Sequence, residues 1–133
     1  MRVDNCHFIG SGDKGISVGE NSQLLVLNCA FVKCDLGMEI KDASIAVVRD
    51  SLFQKNRLAL HSYQKKWLYR KGGSTLLIDC RILDSREADV SMEKRSTILL
   101  MNTTVSKISQ AKKRIQQIEN IDEFWQNVIK SLE

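Results

Sequence analysis

The chain repeats itself. Gly15-Ile16-Ser17-Val18-Gly19-Glu20-Asn21-Ser22 runs into Gln23-Leu24-Leu25-Val26-Leu27-Asn28-Cys29-Ala30-Phe31. The same order of residue types returns as Gly37-Met38-Glu39-Ile40-Lys41-Asp42-Ala43-Ser44 followed by Ile45-Ala46-Val47-Val48-Arg49-Asp50-Ser51-Leu52-Phe53. Gly37, Ser44 and Asp50 each stand 22 residues after Gly15, Ser22 and Asn28. A period of this size with strand-like composition describes a stack of coils, each contacting only its neighbours, rather than a two-layer domain.

Three columns define the coil. Asn5, Asn28, Asp50, Asp79 and Asn102 form the first, with steps of 23, 22, 29 and 23. A small residue follows each (Cys6, Cys29, Ser51, Cys80, Thr103), and an apolar residue lies two places further on (Phe8, Phe31, Phe53, Ile82, Val105). Asn and Asp tolerate the left-handed backbone of a tight turn, which explains their recurrence at one place per coil. The second column is Gly15–Val18, Gly37–Ile40, Ala59–Ser62 and Asp89–Met92. Its alternation predicts a strand that turns Ile16, Val18, Met38, Ile40, Leu60, Val90 and Met92 inward and Ser17, Glu39, His61 and Ser91 outward. The third starts at Ser22, Ser44, Ser74 and Ser96 and offers Leu24, Val26, Ala46, Val48, Leu77, Ile98 and Leu100 to the core. The absence of proline suits strands whose every N–H bonds a neighbour. Three strands per coil, each parallel to its counterpart above and below, predict an all-β chain: a right-handed parallel β-helix of about five coils over residues 1–105, with Phe8, Phe31 and Phe53 stacked in a file.

One coil is longer. Val18 to Ser22, Ile40 to Ser44 and Met92 to Ser96 span four residues, whereas Ser62 to Ser74 spans twelve. The eight additional residues lie within 63–73, which holds Tyr63, Trp67 and Tyr69 among Lys65, Lys66, Arg70 and Lys71 with no acid. A loop pushed out of a rigid stack is a natural place for function. After Val105 the pattern changes. Ile115, Ile118 and Ile121 at threefold spacing predict a helical stretch from Ser109, and Asp122 is positioned to cap a last segment bearing Phe124, Trp125, Val128, Ile129 and Leu132. Residues 106–133 are therefore expected to form a helical C-terminal cap over the last coil, where strand edges and core would otherwise be exposed.

The run Asp13-Lys14-Gly15 through Gly19-Glu20 and Ser22, the turn Gly37 through Lys41-Asp42 and Ser44, and Tyr63-Gln64-Lys65-Lys66 leading to Gly72-Gly73 resemble the pectate-lyase-like right-handed β-helix repeat proteins. More narrowly, they are similar to bacterial surface proteins whose β-helix modules accompany CotH-type domains. The resemblance covers about residues 5–105. It implies a stacked-coil fold and, in related enzymes, cleavage of acidic polysaccharides by a basic residue beside clustered carboxylates that bind calcium. Here Asp13, Glu20, Asp35 and Asp42 recur near turns and Lys41 and Lys65 are basic, but no adjacent carboxylate pair stands out, and the kinase domain of the CotH type is absent. The resemblance also implies an extracellular or cell-surface place.

The residues therefore carry two functional readings. In the first, the chain is a non-catalytic module that associates with a second copy, as a dimer, through its unplugged N-terminal coil, with Val3, Phe8, Ile16 and Val18 at the contact. In the second, it binds, or as a remnant lyase or hydrolase acts on, an anionic glycan along Glu39, Lys41, His61, Tyr63, Lys65, Lys66, Trp67, Tyr69 and Arg70. Either Tyr63, Trp67 and Tyr69 offer aromatic faces to sugar rings, or Trp67 and Leu68 fold back onto the coil wall or join a protomer contact while the lysines stay solvated. His61 stands above Glu39 as a candidate imidazole–carboxylate contact. Cys6, Cys29 and Cys80 read as buried thiols beneath a turn, with a Cys6–Cys29 disulfide as the alternative. Nothing in the pattern calls for a metal or cofactor. The net charge of +4 is concentrated in one loop, which disfavours nucleic acid. No apolar run approaches a membrane span, so no membrane partner is expected. The first residues encode no secretory signal, so the chain either stays in the cytoplasm or belongs to a longer exported protein.

Overall fold

The computed structural model describes residues 1–93, 95–110 and 114–133. Its first coil is β1 (Arg2–Asp4), β2 (His7–Ile9) and β3 (Lys14–Val18); the second is β4 (Gln23–Leu27), β5 (Ala30–Val32) and β6 (Leu36–Lys41). The third is β7 (Ile45–Arg49), β8 (Leu52–Gln54) and β9 (Leu58–Tyr63), and the fourth β10 (Ser74–Ile78), β11 (Arg81–Leu83) and β12 (Ala88–Met92). The fifth contributes β13 (Thr97–Met101) and β14 (Ile108–Gln110), and β15 (Ile115–Gln117) begins another turn. All pairings are parallel. They build three sheets in the orders β1-β4-β7-β10-β13-β15, β2-β5-β8-β11 and β3-β6-β9-β12-β14, which is the predicted parallel β-helix.

The column after β1, β4, β7, β10 and β13 has a left-handed backbone at every coil: Asn5, Asn28, Asp50, Asp79 and Asn102 have φ between 47° and 53°. The small residue behind it satisfies the turn. Cys29 N–H donates to Ser51 Oγ and Cys80 N–H to Thr103 Oγ1, both at 3.1 Å, so in these two coils the turn amide is bonded by the side chain of the next coil. All four cysteines are free thiols. Burial pushes the Cys80 thiol up to about 12.

The interior is filled by the alternating inward residues, and its axis is the aromatic file. Phe8 stacks on Phe31 with centroids 5.0 Å apart, and Phe31 on Phe53 at 4.7 Å. Phe31 and Phe53 are fully buried, each worth about 1.5–3 kcal/mol of burial. The file explains a glycine column. A Cβ on Gly37 would lie 2.6 Å from Ala59 O and 2.9 Å from Phe53 Cδ1, and Gly15 stands in the same relation to Phe31. Ala59, the next member, lies over the coil in which Ile82 replaces the ring, and there a methyl fits.

Two expectations change along the strand columns. Ser74 pairs with Ile45 and Thr97, so Gly73, not Ser74, holds the place of Ser44 and Ser96, and the insertion is seven residues, not eight. Gly73 is seated so closely that a Cβ would approach Ile40 O to 2.2 Å. Second, the predicted helix from Ser109 is not formed: β14 and β15 continue two of the sheets, while 111–113 lie outside the described residues. Ile115 pairs with Ile98 and extends the inward column, whereas Ile118 and Ile121 emerge on the outer flank. Their threefold spacing records the chain crossing from inside to outside.

The C-terminal helical cap is α1, Glu123–Leu132, with Asp122 Oδ1 accepting from Trp125 N–H at 3.0 Å. It covers the flank rather than the final coil. Trp125 and Val128 are buried against Leu25, Leu27, Val47, Leu76 and Ile78, the outward residues of the six-stranded sheet, with Leu99, Met101, Ile129 and Leu132 alongside. Arg49 reaches Glu133 at 3.8 Å. The buried partners come from β4, β7 and β10, so α1 straps three rungs together.

Candidate functional site

The outer face of the five-stranded sheet carries the predicted row Ser17, Glu39, His61 and Ser91 on successive rungs. A second row two residues on places Lys41 beside Tyr63. Around Glu39 the side chains close up. Lys41 Nζ lies 3.1 Å from Oε1, Tyr63 OH 3.4 Å, Ser17 Oγ 3.5 Å, and Lys14 Nζ 3.9 Å from Oε2. Glu39 is consequently 3% exposed although it points away from the core. Burial, and then the negative charge of Glu39, push the Tyr63 phenol up to about 12. Two ammonium groups and two hydroxyls thus surround the Glu39 carboxylate, and a phenol held protonated is a hydrogen-bond donor.

His61 does not reach Glu39. Its ring stacks on Tyr63, two residues away on the same strand, with centroids 4.6 Å apart, and Nε2 lies 3.4 Å from Glu93 on the next coil. Glu39 is already engaged by Lys14 and Lys41. Lys14 and Glu93, which complete this network, were not singled out in the sequence; Glu93 is two residues beyond Ser91, as Lys41 is beyond Glu39, and the row was readable from that spacing.

The 63–73 loop leaves the wall at Tyr63. Asp42, fully buried with φ 52°, anchors it: the N–H groups of Lys65 and Lys66 both donate to Oδ1 at 2.7 Å. Lys66 pairs with Glu20, and this contact holds the Glu20 carboxyl below its usual range. Ala43 N–H closes the other end through Lys71 O at 3.1 Å. Between these anchors a 3-10 helix, Trp67–Tyr69, ends at Arg70 in the left-handed region, with Arg70 N–H donating to Trp67 O. Trp67 is 82% exposed and Leu68 57%, so neither folds back onto the wall. The predicted ligand residues thus divide: Glu39, Lys41, His61 and Tyr63 form the wall, while Lys65, Lys66, Trp67, Tyr69 and Arg70 belong to the projecting loop.

The turn carboxylates do not converge. Asp13 pairs with Lys14, and Asp35 takes a two-point contact from Arg57 that holds its carboxyl below the usual range, with Arg57 also reaching Glu87. Among the described residues, no three His, Cys, Asp or Glu side chains are grouped to hold a metal ion.

At the N-terminal end, β1, β2 and β3 are each the edge strand of their sheet. Val3, Phe8 and Ile16 are only partly buried, resting on the core cluster from outside. Val18, predicted with them, is 2% exposed and already inside the stack, which leaves it out of the rim.

Neither a curated protein nor a solved structure matches the chain. The family description "right handed beta helix region" matches residues 1–119, which include every strand described above, and the chain belongs to the right-handed β-helix family.

Proposed function

We propose that the chain is a non-catalytic β-helix module that associates with a second copy through its N-terminal coil. The observation that carries this is the edge itself: three unpaired strand edges around a half-covered apolar rim of Val3, Phe8 and Ile16. Such edges seek pairing, and a twofold arrangement gives each rim an identical partner, covering the free face of Phe8. The wall supports a non-catalytic reading, since the enclosed Glu39 carboxylate is ringed by Lys14, Lys41, Ser17 and Tyr63. The resemblance to modules that accompany CotH-type domains supports a place on a bacterial cell surface.

Sedimentation velocity of the wild type and of Phe8→Glu tests the contact. A dimer that Phe8→Glu converts to monomer is expected. A monomeric wild type at high concentration, or a dimer that the substitution leaves intact, removes the proposal.

A second reading, binding of an anionic glycan, is favoured by Lys14, Lys41, His61 and Tyr63 on one sheet face. Binding of polygalacturonate lost in a His61→Ala, Lys41→Ala variant is its expected signature, and equal binding by both proteins would dismiss it.

A further inference from the structure

We propose that the 63–73 loop is a membrane-surface anchor that sets Trp67 and Leu68 into the interface of a bilayer carrying anionic lipid headgroups. The two residues are adjacent, at 82% and 57% exposure, in a short 3-10 helix none of whose residues is buried. The loop is not loose. Asp42 holds the amides of Lys65 and Lys66, Gln64 Nε2 donates to Trp67 O at 3.2 Å, Arg70 N–H closes the helix, and Lys71 O accepts from Ala43 N–H. Pinned at both ends, the apolar pair is presented to solvent instead of collapsing on the coil, so little ordering is left to be done on binding.

The cations complete the pattern. Lys65 and Lys66 precede the apolar pair and Arg70 and Lys71 follow it, all exposed. Lys66 is neutralised by Glu20, but among the described residues Lys65, Arg70 and Lys71 have no carboxylate within ion-pairing distance. Trp favours the headgroup level of a bilayer, an aliphatic neighbour favours the acyl boundary just below, and flanking Lys and Arg favour anionic phosphates above. A sugar platform has no use for Leu68, an aliphatic side chain on a convex tip. Among the described residues no helix is long and apolar enough to cross a membrane, and the contact proposed is a peripheral one that needs no spanning segment.

The test is co-sedimentation with vesicles of phosphatidylcholine alone and of phosphatidylcholine mixed with phosphatidylglycerol, read together with tryptophan emission. Trp125 is buried in the flank, so a blue shift on binding reports Trp67. Binding to the anionic vesicles with a blue shift is expected, at least tenfold weaker on neutral ones and suppressed by high salt. Lys71→Ala is expected to lower affinity about fivefold, the equivalent of one interfacial cation. Trp67→Ala with Leu68→Ala lowers it tenfold or more while leaving the thermal melt unchanged, because neither side chain packs on the coil. Wild type and double variant binding alike, absence of binding to anionic vesicles, or a blue shift with soluble polygalacturonate but not with vesicles would each overturn the proposal.

Discussion

At the scale of single residues, the stack is governed by what each side chain meets one rung away. Gly37 and Ala59 occupy equivalent places, yet only Gly37 faces a phenylalanine ring, so their tolerance differs. Gly37→Ala is expected to cost about 1–3 kcal/mol through overpacking against Phe53 and Ala59 O, whereas Ala59→Gly costs under about 1 kcal/mol; urea denaturation of the two variants reads the contrast. Asp89 works through hydrogen bonds. Burial alone would raise its carboxyl, but the N–H groups of Ser106 and Lys107 and the Ser106 hydroxyl hold it below the usual range. A carboxyl lowered on folding stabilises fully above its unfolded value, about 3.9, and that stabilisation is lost as pH falls through the folded value. Asp89→Asn should therefore lower stability by about 1–3 kcal/mol at neutral pH, and thermal melts should show the gap to wild type narrowing below about pH 4. The Asn/Asp column and the Phe file were readable beforehand because the same backbone or packing demand recurs on every rung. The choice of His61 for Glu93 over Glu39 was not, since two lysines compete for Glu39 and only packed side chains reveal which contact forms.

Elements show where periodicity misleads. Ile115, Ile118 and Ile121 satisfy a helical pattern, but Ile115 serves the core of one sheet while Ile118 and Ile121 serve the flank beneath α1. A threefold spacing has two physical causes here, and local sequence carries no signal that separates them. The helix itself was readable, because Asp122 and the apolar stripe of Trp125, Val128, Ile129 and Leu132 admit one reading. Its seat was not, since the outward residues Leu25, Leu27, Val47, Leu76 and Ile78 look like additional core in a strand that is apolar on both faces. Asp122→Ala should cost about 1 kcal/mol by freeing the Trp125 amide, and Trp125→Ala about 3–5 kcal/mol by emptying the centre of the flank contact; thermal melts followed by circular dichroism measure both.

For the whole molecule, pairing in the six-stranded sheet runs unbroken from β1 to β15, and α1 packs on its outer face, joining coils that are otherwise linked only to their neighbours. The helix is a yardstick. Its contacts reach Leu25 and Leu27 of β4, and the next strand outward, β1, offers Arg2 and Asp4 in the same register. Excising residues 23–44 would rejoin the remaining turns without a break, but would slide those two charged side chains beneath the greasy end of the yardstick. Such a shortened protein should melt at lower temperature than one lengthened by duplicating the same segment, whose added copy leaves apolar residues under the whole helix. The architecture accepts growth and resists loss, which makes its present height a lower bound set by ten residues at the far end of the chain.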